Sequence, residues 1–147
     1  YIDAYTSRGD SYHDLEEYDK AIADYSKAIE IDPRYRYAYA GRGDSYQKLG
    51  EYEKAIEDFS KAIEIDTRYA STYAIRGGSY NNLGEYEKAI ADFSKAIEID
   101  PRYRYAYAGR GDSYQKLGEH EKAIEDFSKA IEIDSTYDYT YATRGDS

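Results

Sequence analysis

His13 and His120 are the only imidazoles in the chain, and neither has a matching ligand or partner at a useful spacing. Acid–base catalysis and metal binding both need groups that converge on one point. There is no cysteine, no phosphate-cradling loop and no nucleophile beside a base. We therefore expect no catalysis, no cofactor and no metal site. Arg-Gly-Asp occurs at 8–10, 42–44, 110–112 and 144–146. In an exposed loop it would suggest an adhesion ligand, but here it lies inside a helical pattern with its glycine in a packing slot, so it reads as an accident of composition. Acid clusters such as Glu16–Glu17 read as solvated surface. The groups left with chemical reach are 21 tyrosines and an excess of carboxylates, with a formal charge of −10. That is the chemistry of recognition. An acidic surface repels nucleic-acid phosphates and favours basic or neutral partners.

The elements that position these groups follow from repetition. Residues 21–66 recur at 89–134 with only two changes, Tyr25/Phe93 and Tyr52/His120. Within that double unit the period halves to 34 residues: Tyr12, Tyr46, Tyr80 and Tyr114 keep step, as do Ala21, Ala55, Ala89 and Ala123. A fixed period of this length means stacked supersecondary units. In residues 36–69, apolar positions three and four apart predict a helix over Tyr37–Leu49 and another over Glu53–Ile65. Gly50 stands between them, where a left-handed residue ends a helix. Asp-Pro at 32–33 and 100–101 divides the units. In such a hairpin Tyr46 faces Ala55 and Tyr39 faces Ala62, large against small. Arg8, Arg42, Arg76 and Arg110 are each followed 16 residues later by Asp24, Asp58, Asp92 and Asp126, which predicts an Arg–Asp pair inside every unit. No apolar run is long enough to cross a bilayer or act as a signal peptide, so no membrane partner is expected. The chain lacks methionine and opens on Tyr1, so we expect a piece of something longer.

The succession Tyr39, Gly43, Tyr46, Gly50, Ala55, Phe59 and Ala62, with Pro33 or Pro101 in the last slot, resembles the tetratricopeptide repeat. The match covers four units, 2–35, 36–69, 70–103 and 104–137, and residues 138–147 begin a fifth. The resemblance implies an all-α, right-handed superhelical solenoid whose first helices line a concave groove. There are departures. Glu16 replaces the turn glycine of the first unit, which predicts a strained or altered turn; Thr67 and Ser135 replace the proline. Relatives that grip a peptide's terminal carboxylate do so with Lys, Asn and Arg. Here Thr6, Ser7, Asp10, Ser71 and Ile75 stand at corresponding places, so that clamp is missing.

Thirteen tyrosines occupy packing slots and five sit at unit junctions, which leaves Tyr37, Tyr105 and Tyr139 at a position that faces the groove in this family. Units three and four differ at eleven positions, seven of them in the first helix. Differences at 71, 75, 78 and 82 share one helical face, which suggests specialisation of that face. The expected groove residues are Tyr37, Gly41, Asp44, Lys48, Ile75, Asn82, Tyr105, Gly109, Asp112, Lys116 and Tyr139. Asp3, Asp10, Asp44, Asp112 and Asp146 make the groove acidic, and the Ala-Gly pairs leave the backbone open to close approach. The expected function is a protein-interaction scaffold that holds a peptide segment or partner helix carrying basic and apolar residues. The alternative is a structural module that self-assembles head to tail through uncapped ends.

Overall fold

The computed structural model describes the backbone of residues 1–144 and the side chains of residues 1–135. Its described residues form eight helices: α1 (Ile2–Asp14), α2 (Tyr18–Ile31), α3 (Arg36–Lys48), α4 (Tyr52–Ile65), α5 (Ala70–Asn82), α6 (Tyr86–Ile99), α7 (Arg104–Lys116) and α8 (His120–Arg144). Consecutive helices pack on one another along the chain, and α1, α3, α5 and α7 also stack side by side. The molecule is thus an all-α solenoid with its odd-numbered helices in one layer and its even-numbered helices in the other.

Each second helix buries a narrow stripe of alanines around one ring. In α4 this is Ala55, Phe59 and Ala62, and in α6 Ala89, Phe93 and Ala96. The alanines are fully buried, so the facing helix approaches to backbone distance at those points. Tyr73, Tyr80, Ala89 and Ala96 join one cluster, the large-against-small arrangement expected of the hairpin.

Gly50, Gly84 and Gly118 adopt φ of +76°, +74° and +78°. In the turn after α3, the Gly50 amide donates to Gln47 O and the Glu51 amide to Tyr46 O, which satisfies the last helical carbonyls. Glu16 adopts the same left-handed conformation at φ +60°, and Glu16 N and Glu17 N reproduce both bonds. The first turn therefore keeps its shape and carries the strain of a side chain in that region. Glu16→Gly is expected to stabilise the first unit by about 1 kcal/mol, measured as slower amide exchange in α1 and α2.

Between units, Asp32, Asp66 and Asp100 each accept the amide two residues on, from Arg34, Arg68 and Arg102. This turn forms at Thr67 without the proline, so the proline is not required for it. Asp66 is further fixed by the Arg68 guanidinium, which pulls its carboxyl down to about 2. The fourth unit departs from the pattern. Ser135 and Thr136 stand in place of Pro and Arg, Ser135 Oγ donates back to Ile131 O as in a continuing helix, and α8 runs on to Arg144. The start of a fifth unit expected at 138 is therefore not set off by a turn; side chains from 136 on, and all of residues 145–147, lie outside the described residues.

All four Arg–Asp pairs form. The Nε and Nη2 of Arg8, Arg42, Arg76 and Arg110 donate to the two carboxylate oxygens of Asp24, Asp58, Asp92 and Asp126 at 2.7 or 2.8 Å. The aspartates are buried. The bond to Asp58 holds the Arg42 guanidinium charged, yet burial raises the Asp58 carboxyl against that attraction. A pair in which desolvation offsets attraction this closely fixes register more than it adds stability. Three of the arginines also reach backward: the Nη1 of Arg42, Arg76 and Arg110 donates to Ser26, Ser60 and Ser94 of the preceding unit, each at 3.1 Å.

Candidate functional site

The layer of first helices presents two cavities. The first, of about 460 Å³, lies between α1, α3 and α5 and is lined by Asp10, Asp14, Tyr37, Asp44 and Ile75 among others. The second, of about 540 Å³, lies between α5 and α7 and includes Asn82, Tyr105, Asp112, Gln115 and Lys116. The expected groove residues therefore divide. Tyr37, Gly41, Asp44 and Ile75 meet in the first cavity, and Asn82, Tyr105, Gly109, Asp112 and Lys116 meet in the second. Lys48 is exposed at the end of α3 and lines neither. Asp3 also lies outside both. The side chains of Tyr139 and Asp146 fall outside the described residues.

The first cavity carries an ordered polar network. Asp10 accepts two phenol hydroxyls, Tyr25 at 2.5 Å and Tyr37 at 2.7 Å. Burial, then the bond to the Asp10 carboxylate, pushes the Tyr37 hydroxyl up to about 12, and the same two causes raise Tyr25 further. Both therefore stay neutral donors across the biological range. His13 Nε2 sits 2.8 Å from Asp44 Oδ2, a polar contact across α1 and α3 without hydrogen-bond geometry. Tyr37 still exposes 44% of its surface and Tyr105 48%, so each ring offers a face to solvent.

Several positions serve the contacts between units, and one expectation changes as a result. Gly41 and Gly109 do not leave backbone open to a ligand: a Cβ there would lie 2.6 Å from the Tyr25 ring and 2.4 Å from the Phe93 ring. The second-helix ring of the preceding unit already fills that space. In unit three, where Ile75 takes this place, Gln47 donates to Ile75 O and Ser79 Oγ. At the next junction the shorter Asn81 donates to Gly109 O and accepts from Ser113 Oγ. The longer amide spans the junction with the larger residue, and the shorter amide the junction with glycine. Arg36 stacks 3.6 Å from the centre of the Tyr69 ring and donates to Thr72 Oγ1 at 3.3 Å. Gly78 leaves room for the Tyr105 hydroxyl, which would be 3.0 Å from a Cβ. The face at 71, 75, 78 and 82 is thus shared between cavity and junction.

His13, Asp14, Arg36 and Thr72 line the first cavity and Tyr86 the second, and the sequence reading missed all five. A signal existed for the network. Tyr25 carries a hydroxyl that Asp10 can accept, where Phe59, Phe93 and Phe127 carry none in the later units.

Comparison with known proteins places this geometry. The "TPR repeat" profile matches residues 9–50 and 77–118, and the "Tetratricopeptide repeat" profile matches 37–69 and 105–137. No curated protein matches the sequence. Among solved structures, a crystal structure of MamA superposes with a TM-score of 0.89 at 29% identity, covering 94% of this chain and 81% of MamA. The first TPR of Spaghetti (RPAP3), bound to the HSP90 peptide SRMEEVD, superposes with a TM-score of 0.78 at 25% identity, covering 80% of this chain and 93% of that one. The Arabidopsis OM64 TPR domain, at 24% identity and a TM-score of 0.76, shares the fold, covering 78% of this chain and 94% of its own. With the two profiles together matching residues 9–69 and 77–137, the chain belongs to the tetratricopeptide repeat family.

Proposed function

We propose that the groove holds a peptide or helix of another protein through a basic residue flanked by an apolar or aromatic one. The observation that carries this reading is the first cavity, where Asp10, Asp14 and Asp44 surround the exposed ring of Tyr37 and the side chain of Ile75. An ammonium or guanidinium group there gains the carboxylates and an aromatic face together. The RPAP3 domain is bound to SRMEEVD, whose Glu, Glu and Asp are of the opposite charge. Asp10 and Asp44 would repel such a peptide. The second cavity adds Lys116, Asn82 and Gln115, which suit polar or backbone groups further along the same segment. Charge of this kind steers encounter and selects partners more than it sets affinity.

The test is fluorescence anisotropy with short labelled peptides carrying Lys or Arg beside an aromatic residue, set against SRMEEVD. Asp44→Asn and Tyr37→Ala are each expected to weaken the basic peptides about tenfold, equal to about 1.4 kcal/mol, and raised salt to weaken them further. Equal binding of the acidic peptide, or no effect of either substitution, would overturn the assignment.

A further inference from the structure

We infer that His13 is a proton-operated lock on the junction between the first two units: on gaining a proton it ties α1 to Asp44 of α3, and so withdraws Asp44 from a cationic ligand. The release of ligand rests on the groove reading above. The lock itself does not.

The warrant is a comparison of equivalent junctions. Steps of 34 residues carry position 13 to Gln47 and Asn81. Gln47 donates to Ile75 O and Ser79 Oγ of the next first helix. Asn81 donates to Gly109 O and accepts from Ser113 Oγ. The first junction offers the matching groups, Gly41 O and Ser45 Oγ. Yet the fully buried Ser45 donates to Gly41 O of its own helix and makes no bond to α1 among the described residues. His13 Nε2 is buried there with no hydrogen-bond partner among the described residues. The amide that fastens the later junctions is thus replaced at this one by a group that titrates. Imidazole is the side chain whose charge changes within about pH 5–8.

The surroundings set the direction. Nε2 lies 2.8 Å from Asp44 Oδ2 on α3. Asp10 and Asp14, from α1 itself, share the cavity, and Asp10 is engaged by the hydroxyls of Tyr25 on α2 and Tyr37 on α3. The Tyr18 ring of α2 stands edge-on to the imidazole at 5.3 Å. In the turn before it, Glu17 is paired with Lys20 at 2.6 Å. The cations on α3 are Arg36, held over the Tyr69 ring and to Thr72, and Lys48, exposed at the helix end. The cavity therefore sets three carboxylates against one guanidinium, which favours a proton on the ring. A small turn of the ring then makes Nε2 a charged donor to Asp44, a bond of the stronger class. The second cavity is an internal comparison. Asp112 stands where Asp44 does, and the counterpart of His13 is Asn81, which has no charge to gain.

The closed junction holds the proton against Asp44 and an opened one does not. The lock is engaged at the acidic end of the range and lost as pH rises through it. Carboxylates are ionised throughout, so a cationic ligand and the imidazolium compete for Asp44, and acidification releases the ligand.

The experiment compares the wild-type chain with His13→Asn, which installs the amide of the junction 68 residues on. His13→Gln is a second variant, and melting curves check that both fold. Two quantities are read at about pH 8 and about pH 5.5: protection of the α1 amides relative to unstructured chain, and anisotropy of a labelled, acetylated peptide with Arg beside Phe and no histidine. On acidification the wild type should gain about tenfold in α1 protection and lose about tenfold in peptide affinity, while His13→Asn changes in neither. His120, exposed at the start of α8, is present in both proteins, so any change they share has another origin. The lock is overturned if α1 protection does not rise in the wild type alone. It is also overturned if peptide affinity in the wild type does not fall, or falls equally in the variants. The expected protection with no peptide bound at either pH supports the lock and overturns the groove reading instead.

Discussion

Replacing Arg76 with methionine is expected to cost about 3–5 kcal/mol, the largest loss from any one side chain described above. The methionine keeps most of the packing of the arginine stem but leaves Asp92, which is 6% exposed, buried without its cation. It also removes the bond to Ser60, so α4 and α5 loosen as well as α5 and α6. Arg76→Met combined with Asp92→Leu should recover most of the loss, because the penalty comes from an unpaired buried carboxylate rather than from the absent pair. Arg8→Met should cost less than half as much, since Arg8 is 60% exposed and water can reach the carboxylate it leaves. Because repeats unfold in part, amide exchange resolved by helix is the suitable measurement. A loss at Arg76 below about 1 kcal/mol, or a double variant no better than the single, would remove the pair from its assigned role.

Gly109→Ala should destabilise the chain by about 1–3 kcal/mol, and here the sign matters more than the size. A glycine inside a helix normally gains about 0.5–1 kcal/mol on change to alanine, because the unfolded chain loses freedom. At Gly109 the added carbon would lie 2.4 Å from Phe93, a ring 1% exposed with no room to retreat. Phe93→Leu in the same chain should restore part of the loss by shrinking the obstacle. Thermal unfolding followed by circular dichroism checks both. A stabilised Gly109→Ala chain would mean that the junction does not depend on this approach, and that the glycine is free for a ligand after all.

Much of the fold was legible from period and spacing. The turn at Gly50, the Arg–Asp pairs sixteen residues apart and the alanine slots opposite tyrosines all depend on contacts inside one hairpin, which local spacing reports directly. The junctions were not legible in the same way. Thr72 looks like a surface variation until Arg36 of the preceding unit is seen to donate to it. Gly41 looks like open backbone until Tyr25 is seen to fill it. Such partners lie one unit away and on another helix, where no helical periodicity connects them. The exchange of Tyr25 for Phe93 was visible, but the use made of the Tyr25 hydroxyl needed Asp10 placed beside it. Groove positions were read by their place in the repeat, and the cavities gather nine of the eleven. Lys48 was named as a groove residue and lines neither cavity, although Lys116, at the same place in α7, lines the second.

The amide lengths at Gln47 and Asn81 have a consequence for heredity. Each is matched to the residue it meets in the following unit, Ile75 for the longer and Gly109 for the shorter. Losing or duplicating a single 34-residue stretch would bring a long amide to a glycine junction, or a short one to an isoleucine junction. Gain or loss of 68 residues keeps every amide with its proper neighbour. Unequal crossing-over within such a gene would therefore leave well-packed products only in double steps. The near identity of residues 21–66 and 89–134 is the record that one such step would leave.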